Sequence, residues 1–354
     1  MFIETEREMT EATVKYRQDY LDGLYAVLGE RRREYDGIRE KYIDPVKCAA
    51  DRERYRTDLM EMLGWPLTDH TDLRKKPMRV TMEKAYDLEY AAAYRMTFEV
   101  LPGLRTYGVY FESVKNGTDK PFAVLCHGGV GTPEVIAETF ETNNYNGIVR
   151  RVCDSGDGVN VLCPMFHMWA EKFGPPLSSM EDMGYERTRV DARLKQVGSS
   201  TTAIEVFAIM RELDWFMGKG IAKEGHIGIA GLSYGGFYAT MTAACDTRFA
   251  AAYSSCQFSD RYRYGREDWI WHESGAKFLD AEISGLIAPR PFFVEEGERD
   301  DLFDVAAFRS ESERAAGFYE AAGVPERFIS HVHPGTHEIA LDDTGVNFLY
   351  ENTK

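Results

Sequence analysis

The stretch His226-Ile-Gly-Ile-Ala-Gly-Leu-Ser233-Tyr-Gly-Gly-Phe-Tyr238 decides how the rest of the chain is read. Residues 227–230 are small or apolar and predict a buried strand. Gly231-Leu-Ser233-Tyr-Gly235 fits G-x-S-x-G, with Gly236 behind it, and residues 237–245 predict a buried helix. Strand, sharp turn and helix in that order are what a nucleophile elbow requires. The glycines have a steric reason: a serine lifted onto a tight, strained turn leaves no room for side chains at the flanking positions. The backbone N–H of Tyr234, opening the helix, then faces a developing oxyanion with the positive end of the helix dipole behind it. The bland alternative is a glycine-rich turn of some other parallel-sheet protein.

This stretch resembles the α/β-hydrolase superfamily. Its Ser233-Tyr-Gly-Gly-Phe237 form is similar to the branch of dienelactone-hydrolase-like and acetyl-xylan-esterase-like enzymes, and to the catalytic domains of prolyl oligopeptidases. The resemblance runs from about Lys76 to the C-terminus. It implies an α/β fold, a mostly parallel doubly wound sheet with antiparallel N-terminal strands. A helical N-terminal extension (1–75) would precede the catalytic domain (76–354).

Composition sets the outer bounds. The 354 residues, 44% hydrophobic and 13% aromatic, suffice for one large domain or two ordinary ones with a real core. Acidic residues number 58 against 42 basic, and the net charge of −16 argues against nucleic acid or an anionic membrane as partner. Solubility is the plainer use of that charge. Six dispersed cysteines (Cys48, Cys126, Cys153, Cys163, Cys245, Cys256) form no C-x-x-C and read as buried free thiols, which suit a reducing compartment. Met1-Phe-Ile-Glu-Thr-Glu-Arg-Glu8 carries no apolar leader and no run of about 18 apolar residues occurs, so a cytoplasmic protein is expected.

Residues 11–63 are charged, with apolar side chains at helical spacing: Tyr16, Tyr20, Leu24 and Leu28, then Tyr55, Leu59, Met62 and Leu63 after Pro45. Gly64 is placed as a C′ residue before Pro66. Two amphipathic helices are expected, packed on the main domain or making a homo-oligomer contact. Between 78 and 112 the pattern turns to β, with the turn Leu101-Pro-Gly-Leu104, which predicts antiparallel hairpins at one sheet edge. From Pro121 strands and helices alternate, the signature of a parallel sheet covered on both faces. Strands are expected at 122–126, 158–164, 227–230, 249–254, 291–295 and 327–332. Helices are expected at 148–153, 191–217, 237–245, 305–322 and 338–350.

A serine hydroxyl is a poor nucleophile at neutral pH, so it needs a base, and the base needs a group that fixes its tautomer. In the fold the resemblance implies, these follow in the order serine, acid, histidine, each at the C-terminal end of a later strand. Besides His272, three histidines after Ser233 crowd into His331-Val-His333-Pro-Gly-Thr-His337-Glu338. His331 falls inside the last strand, and His333 precedes a proline where the chain is still extended. His337 follows the Pro-Gly turn and opens a helix; its Gly-x-His form resembles the family's histidine loop. His337 is the candidate base and His333 the alternative. For the acid, Gly297-Glu-Arg-Asp300-Asp301 ends the preceding strand, and the resemblance to the family's Gly-x-x-Asp selects Asp300. Asp301 is the rival, ahead of Asp304 and Glu298; Asp260, Glu267 and Asp268 stay open if the acid comes from the strand before.

An oxyanion hole takes two backbone N–H groups. Tyr234 supplies one. The resemblance of His127-Gly128-Gly129 to the family's His-Gly-x loop points to Gly129 for the other, with Gly128 and Val130 a one-residue shift away, and to His127 as a brace. Met165-Phe-His167-Met-Trp169 and Trp269-Ile-Trp271-His272 fall at C-terminal strand ends, where open α/β sheets bind ligands. His167, Trp169, Trp269 and Trp271 are therefore candidate pocket residues, or core under a cap. With neither metal-ligand spacing nor a phosphate loop, no cofactor and no metal are expected.

The resemblance implies a serine hydrolase that cleaves small-molecule carboxylic esters through a Ser-His-Asp triad and an acyl-enzyme. Its acetyl-xylan-esterase-like members suggest small acyl groups on carbohydrates. A prolyl-oligopeptidase-like peptidase is the alternative, although the segment before Lys76 is helical and too short for a β-propeller. A non-catalytic binding protein on the same fold is a third reading, and would ordinarily lack one triad member.

Overall fold

The computed structural model describes residues 11–129, 131–138, 142–166 and 180–354. Nine strands of the described residues form one sheet: β1 (Val80–Asp87), β2 (Ala91–Leu101), β3 (Leu104–Ser113), β4 (Phe122–Cys126), β5 (Asn160–Pro164), β6 (Ile227–Leu232), β7 (Ala251–Ser255), β8 (Phe292–Gly297) and β9 (Phe328–His333). Their order across the sheet is β1-β2-β3-β5-β4-β6-β7-β8-β9. The hairpins β1-β2-β3 and the β3-β5 pair are antiparallel, and every pair from β5 to β9 is parallel.

Parallel strands covered on both faces are apolar nearly throughout rather than alternating. Accordingly β4, β6, β7 and β8 are buried at every position, whereas β1 at the sheet edge buries none. Alternate residues enter opposite cores. Val124, Ile227, Ile229, Phe292 and Val294 join one apolar cluster with the helices Thr201–Gly218, Tyr234–Cys245 and Asp280–Ile287. Ala123, Leu125, Ala230, Tyr253 and Phe293 join the other with Ile148–Cys153 and Thr344–Glu351.

The strand order also sets where the site lies. Because β5 sits between β3 and β4, the chain leaves β4 toward one side of the sheet and leaves β6 toward the other. The crevice beyond the C-terminal ends of strands at such a reversal is where open α/β sheets bind ligands. Gly128 and Gly129 follow β4 there, and Ser233 follows β6.

Two expected helices differ. The one read over 191–217 is two, Met180–Gln196 and Thr201–Gly218. Between them Gly198 takes a φ of +73°, and Ser200 caps the second helix by accepting Ala203 N–H at 3.1 Å. Gly198-Ser-Ser200 carried that break signal. The last helix begins at Thr344 rather than 338, because residues 334–343 form the loop that carries His337.

The N-terminal segment is a 32-residue helix, Glu11–Tyr42, followed by Pro45–Ala50 and Arg52–Leu63. Tyr55, Leu59 and Leu63 bury in the same cluster as the sheet. Tyr16, Tyr20, Leu24 and Leu28 are all exposed, so within one chain the first apolar stripe is uncovered. The C-terminal part of the long helix is held by arginines instead: Arg32 to Asp260 at 2.6 Å, and Arg39 to Glu282 at 3.2 Å and to Gly275 O at 2.8 Å. All six cysteines are buried and free. Among the described residues no helix is long and apolar enough to cross a membrane.

Candidate active site

Ser233 lies between the end of β6 and the first residue of the helix Tyr234–Cys245, with φ +59° and ψ −120°. A non-glycine residue held there stores on the order of 1–3 kcal/mol, tolerated only where the surroundings enforce it. They do so by contact. A Cβ on Gly235 would lie 2.0 Å from Cys126 O at the end of β4, and one on Gly231 would lie 2.4 Å from the Gly235 carbonyl. Ser233 N–H donates to Ser255 O at the end of β7 (2.8 Å). The serine turn is thus wedged between its two neighbouring strands.

Asp300 follows β8 by a tight turn. Gly297 is needed because a Cβ there would meet Thr336 O at 2.1 Å. That close approach stitches the acid turn to the histidine loop: Glu298 N–H donates to His333 O (2.8 Å) and Arg299 N–H to Gly335 O (3.0 Å). His337 Nδ1 and Asp300 Oδ2 are 2.7 Å apart, while Asp300 Oδ1 accepts the N–H groups of Leu302 (2.7 Å) and Phe303 (3.1 Å). Burial alone would push the Asp300 carboxyl up, but the His337 hydrogen bond, with help from its other donors, holds it at about 2. The His337 ring stacks on Phe303, centroids 5.8 Å apart. The loop is clamped from the other side by Asn144, whose Nδ2 donates to His337 O (3.0 Å), and by Glu295, whose Oε1 accepts Ala340 N–H (2.9 Å).

Ser233 and His337 line one cavity of about 240 Å³. No hydrogen bond joins them among the described residues. Gly128, Gly129 and Tyr234 line the same cavity. Gly128 N–H donates to Tyr145 Oη (2.5 Å), whereas Gly129 N–H has no hydrogen-bond partner among the described residues. His127 is fully buried and braces the loop, with Nε2 accepting Phe166 N–H at 2.8 Å.

Among the described residues, none of the alternative acids and bases lines the serine cavity. His333 is buried against Gly335, and His331 faces Asp342 at 3.3 Å on the surface. Asp301 and Glu298 are exposed, and Asp304 caps the helix Val305–Ala321. Asp260 pairs with Arg32, and Asp268 pairs with buried Arg187 at 2.6 Å while accepting Tyr234 Oη–H at 3.0 Å. Two expected pocket residues are corrected. Trp269 is buried, stacked on Phe237 at 4.4 Å, and Trp271 lines a separate cavity with Lys195 and His272; neither borders the serine cavity. Trp269 instead fills the apolar core beneath Tyr234. His167, Trp169 and Val130 lie outside the described residues.

Sequence reading missed Asn144, Tyr145, Tyr264, Arg266 and Leu302, which line the cavity from loops without a motif. It also missed Glu296, hidden in an apolar strand. Burial, together with the adjacent Asp300 carboxylate, pushes the Glu296 carboxyl up to about 10, so it is neutral. Cys256, Asp300 and His337 place three ligand-type atoms within 4.8 Å of one another. Asp300 already engages three donors, and burial holds the Cys256 thiol protonated, so this donor set fits an acid–base pair better than a cation.

Serine turn, acid turn and histidine loop leaving a mostly parallel sheet in this order are the hallmark of the α/β-hydrolase fold, and the chain has that fold. The model of the X-Pro dipeptidyl-peptidase (S15) family matches residues 195–308, less than half of the chain, spanning Ser233 and Asp300 but not His337. Among solved structures, a Bacteroides fragilis protein provisionally named an acetyl xylan esterase is similar at 14% identity over 87% of this chain and 82% of that one, TM-score 0.61. A glucuronoyl esterase from Solibacter usitatus is similar at 13% identity, covering 88% of this chain and 95% of that one, TM-score 0.60. A promiscuous CE15 esterase from a marine bacterial metagenome is similar at 15% identity, covering 88% and 96%, TM-score 0.59. At these identities the likeness is one of fold. No curated protein matches the sequence.

Proposed function

We propose that the chain is a serine hydrolase acting on carboxylic esters. Ser233 attacks the ester carbonyl and His337 takes its proton, then returns it to the leaving alcohol. Asp300 fixes the His337 tautomer with the proton on Nδ1 and stabilises the imidazolium that forms. The N–H groups of Gly129 and Tyr234 receive the oxyanion, and water releases the acyl group. The observation that carries this reading is the 2.7 Å His337–Asp300 pair, whose imidazole shares a cavity with a serine on a strained turn. The esterases among the structural relatives favour esters of carbohydrates as the substrate class.

The S15 match favours a second reading, a dipeptidyl-peptidase. Such an enzyme needs a carboxylate to anchor the substrate's α-ammonium group. Among the described residues lining the serine cavity there is none, and the one permanent cation, Arg266, would repel it. The test pairs p-nitrophenyl acetate with an Xaa-Pro p-nitroanilide and adds fluorophosphonate labelling. Ester turnover and labelling, both lost in Ser233→Ala, are expected; turnover of the anilide alone would replace the esterase reading, and absence of labelling would overturn both.

A further inference from the structure

Arg266 borders the serine cavity from the loop between β7 and the helix Asp280–Ile287, and the chemistry assigned to Ser233, His337 and Asp300 gives it no task. Its Nε donates to Tyr264 Oη at 3.3 Å, and its guanidinium lies 5.8 Å from the Tyr264 ring centroid. No carboxylate of the described residues lies within 4 Å of it. Arg39, Arg187, Arg248 and Arg261 each pair with an acid, and half-buried Arg290, which has no acid partner, spends its terminal nitrogens on the backbone carbonyls of Ala243, Asp246 and Phe249. The nearby Asp268 is taken by Arg187 and Tyr234. In a chain of net charge −16, carboxylates for a structural pair are plentiful, yet the terminal nitrogens of Arg266 make no hydrogen bond among the described residues.

An aromatic wall joins this cation to the catalytic end of the cavity. Tyr264 packs on Phe303 with centroids 4.1 Å apart, and Phe303 stacks on His337. The guanidinium is planar, always charged and shaped to take a carboxylate through two N–H donors. We propose that Arg266 receives a carboxylate carried by the substrate, so that the enzyme selects esters bearing a free acid group a few atoms from the scissile carbonyl. This rests on the esterase reading above. The carboxylate can belong to the acyl group or to the leaving alcohol, and both present the same chemistry to Arg266.

Two matched pairs separate those sources. p-Nitrophenyl hemiglutarate against p-nitrophenyl valerate places the charge on the acyl side; 4-acetoxybenzoate against its methyl ester places it on the alcohol side. In at least one pair the anionic ester is expected to have the higher kcat/KM. Arg266→Gln is expected to lower that anionic-to-neutral ratio about tenfold or more, and Arg266→Lys to lower it less, since a lysine keeps the charge but not the fork. The wild-type ratio should also fall as ionic strength rises. Because each readout is a ratio within one protein, partial loss of folded enzyme does not move it. No anionic preference in either pair, or a ratio unchanged in Arg266→Gln, would overturn the proposal while leaving the esterase reading intact. Failure of every neutral ester, with no fluorophosphonate labelling, would instead remove the esterase reading and this inference with it.

Discussion

Nδ1 of His337 lies 2.7 Å from Oδ2 of Asp300, a carboxylate whose side chain has no exposed surface. The pair spans two strand-end loops, and it commits Nδ1 of the imidazole while Nε2 makes no hydrogen bond among the described residues. Removing the charge while keeping the shape should therefore cost catalysis more than folding. Asp300→Asn is expected to lower kcat on p-nitrophenyl acetate by about four orders of magnitude, as loss of the orienting acid does in such triads. Asp301→Asn, on an exposed neighbour, should stay within about twofold. Equal losses in the two variants would refute the assignment of the acid.

The same carboxylate sets an acid limit. Its folded value of about 2 lies below the ordinary 3.8, so its contribution to stability is complete above about pH 4 and is lost as pH falls toward 2. Denaturant melts should show wild type and Asp300→Asn converging in stability between those values. A constant difference across that window would contradict the depressed value.

Glu296 should behave in the opposite sense. Its folded value of about 10 lies above the ordinary 4.5, so folding binds a proton that the unfolded chain releases, and stability drops as pH rises from about 4.5 toward 10. Glu296→Gln keeps the shape and removes the titration. It should match wild type near pH 4 and melt a few degrees higher at pH 8. A variant less stable than wild type at pH 8 would mean that the carboxyl is ionised in the fold.

Steric necessity at the serine turn can be measured with two alanines. Gly235→Ala drives a methyl to 2.0 Å from backbone, where nothing flexible can yield, and should abolish soluble folded protein or cost at least about 3 kcal/mol. Gly23→Ala, with open space around it on the exposed N-terminal helix, should stabilise by up to about 1 kcal/mol. Similar melting temperatures for the two would show the turn to be laxer than its contacts imply.

Beneath that turn, Asp268→Ala would remove the carboxylate 2.6 Å from the buried Arg187 guanidinium and the acceptor of Tyr234 Oη–H. A loss of about 3–5 kcal/mol is expected in urea unfolding, as for removal of one partner of a buried ion pair. A loss below about 1 kcal/mol would mean that the contacts of Arg187 other than Asp268 suffice to hold it.

Much of this was legible locally. Ile227 to Cys245 announced strand, turn and helix because burial on both faces and the need for bare backbone leave a dense local signature. The Pro334-Gly335 and Gly297 turns marked where the histidine and acid loops leave the sheet. The break at Gly198-Ser-Ser200 was present but overruled by the helical pattern on either side. Trp269 and Trp271 misled, because an aromatic at a strand end is equally suited to a core or to a pocket. Arg266 gave no signal, since a lone arginine in a loop looks like surface charge until its place on the cavity wall is visible.

By itself the sequence determined the alternation of strands and helices, the strained serine turn and the short set of acids and histidines from which a partner had to come. These follow from periodicity and from backbone conformations that few residues tolerate. Only the tertiary structure decided that Asp300 rather than Asp301 meets His337, that Trp269 and Trp271 lie off the serine cavity, and that a guanidinium without a carboxylate partner among the described residues borders it. Those are contacts between residues distant along the chain, and their geometry depends on how the packed sheet brings separate loops together at one edge.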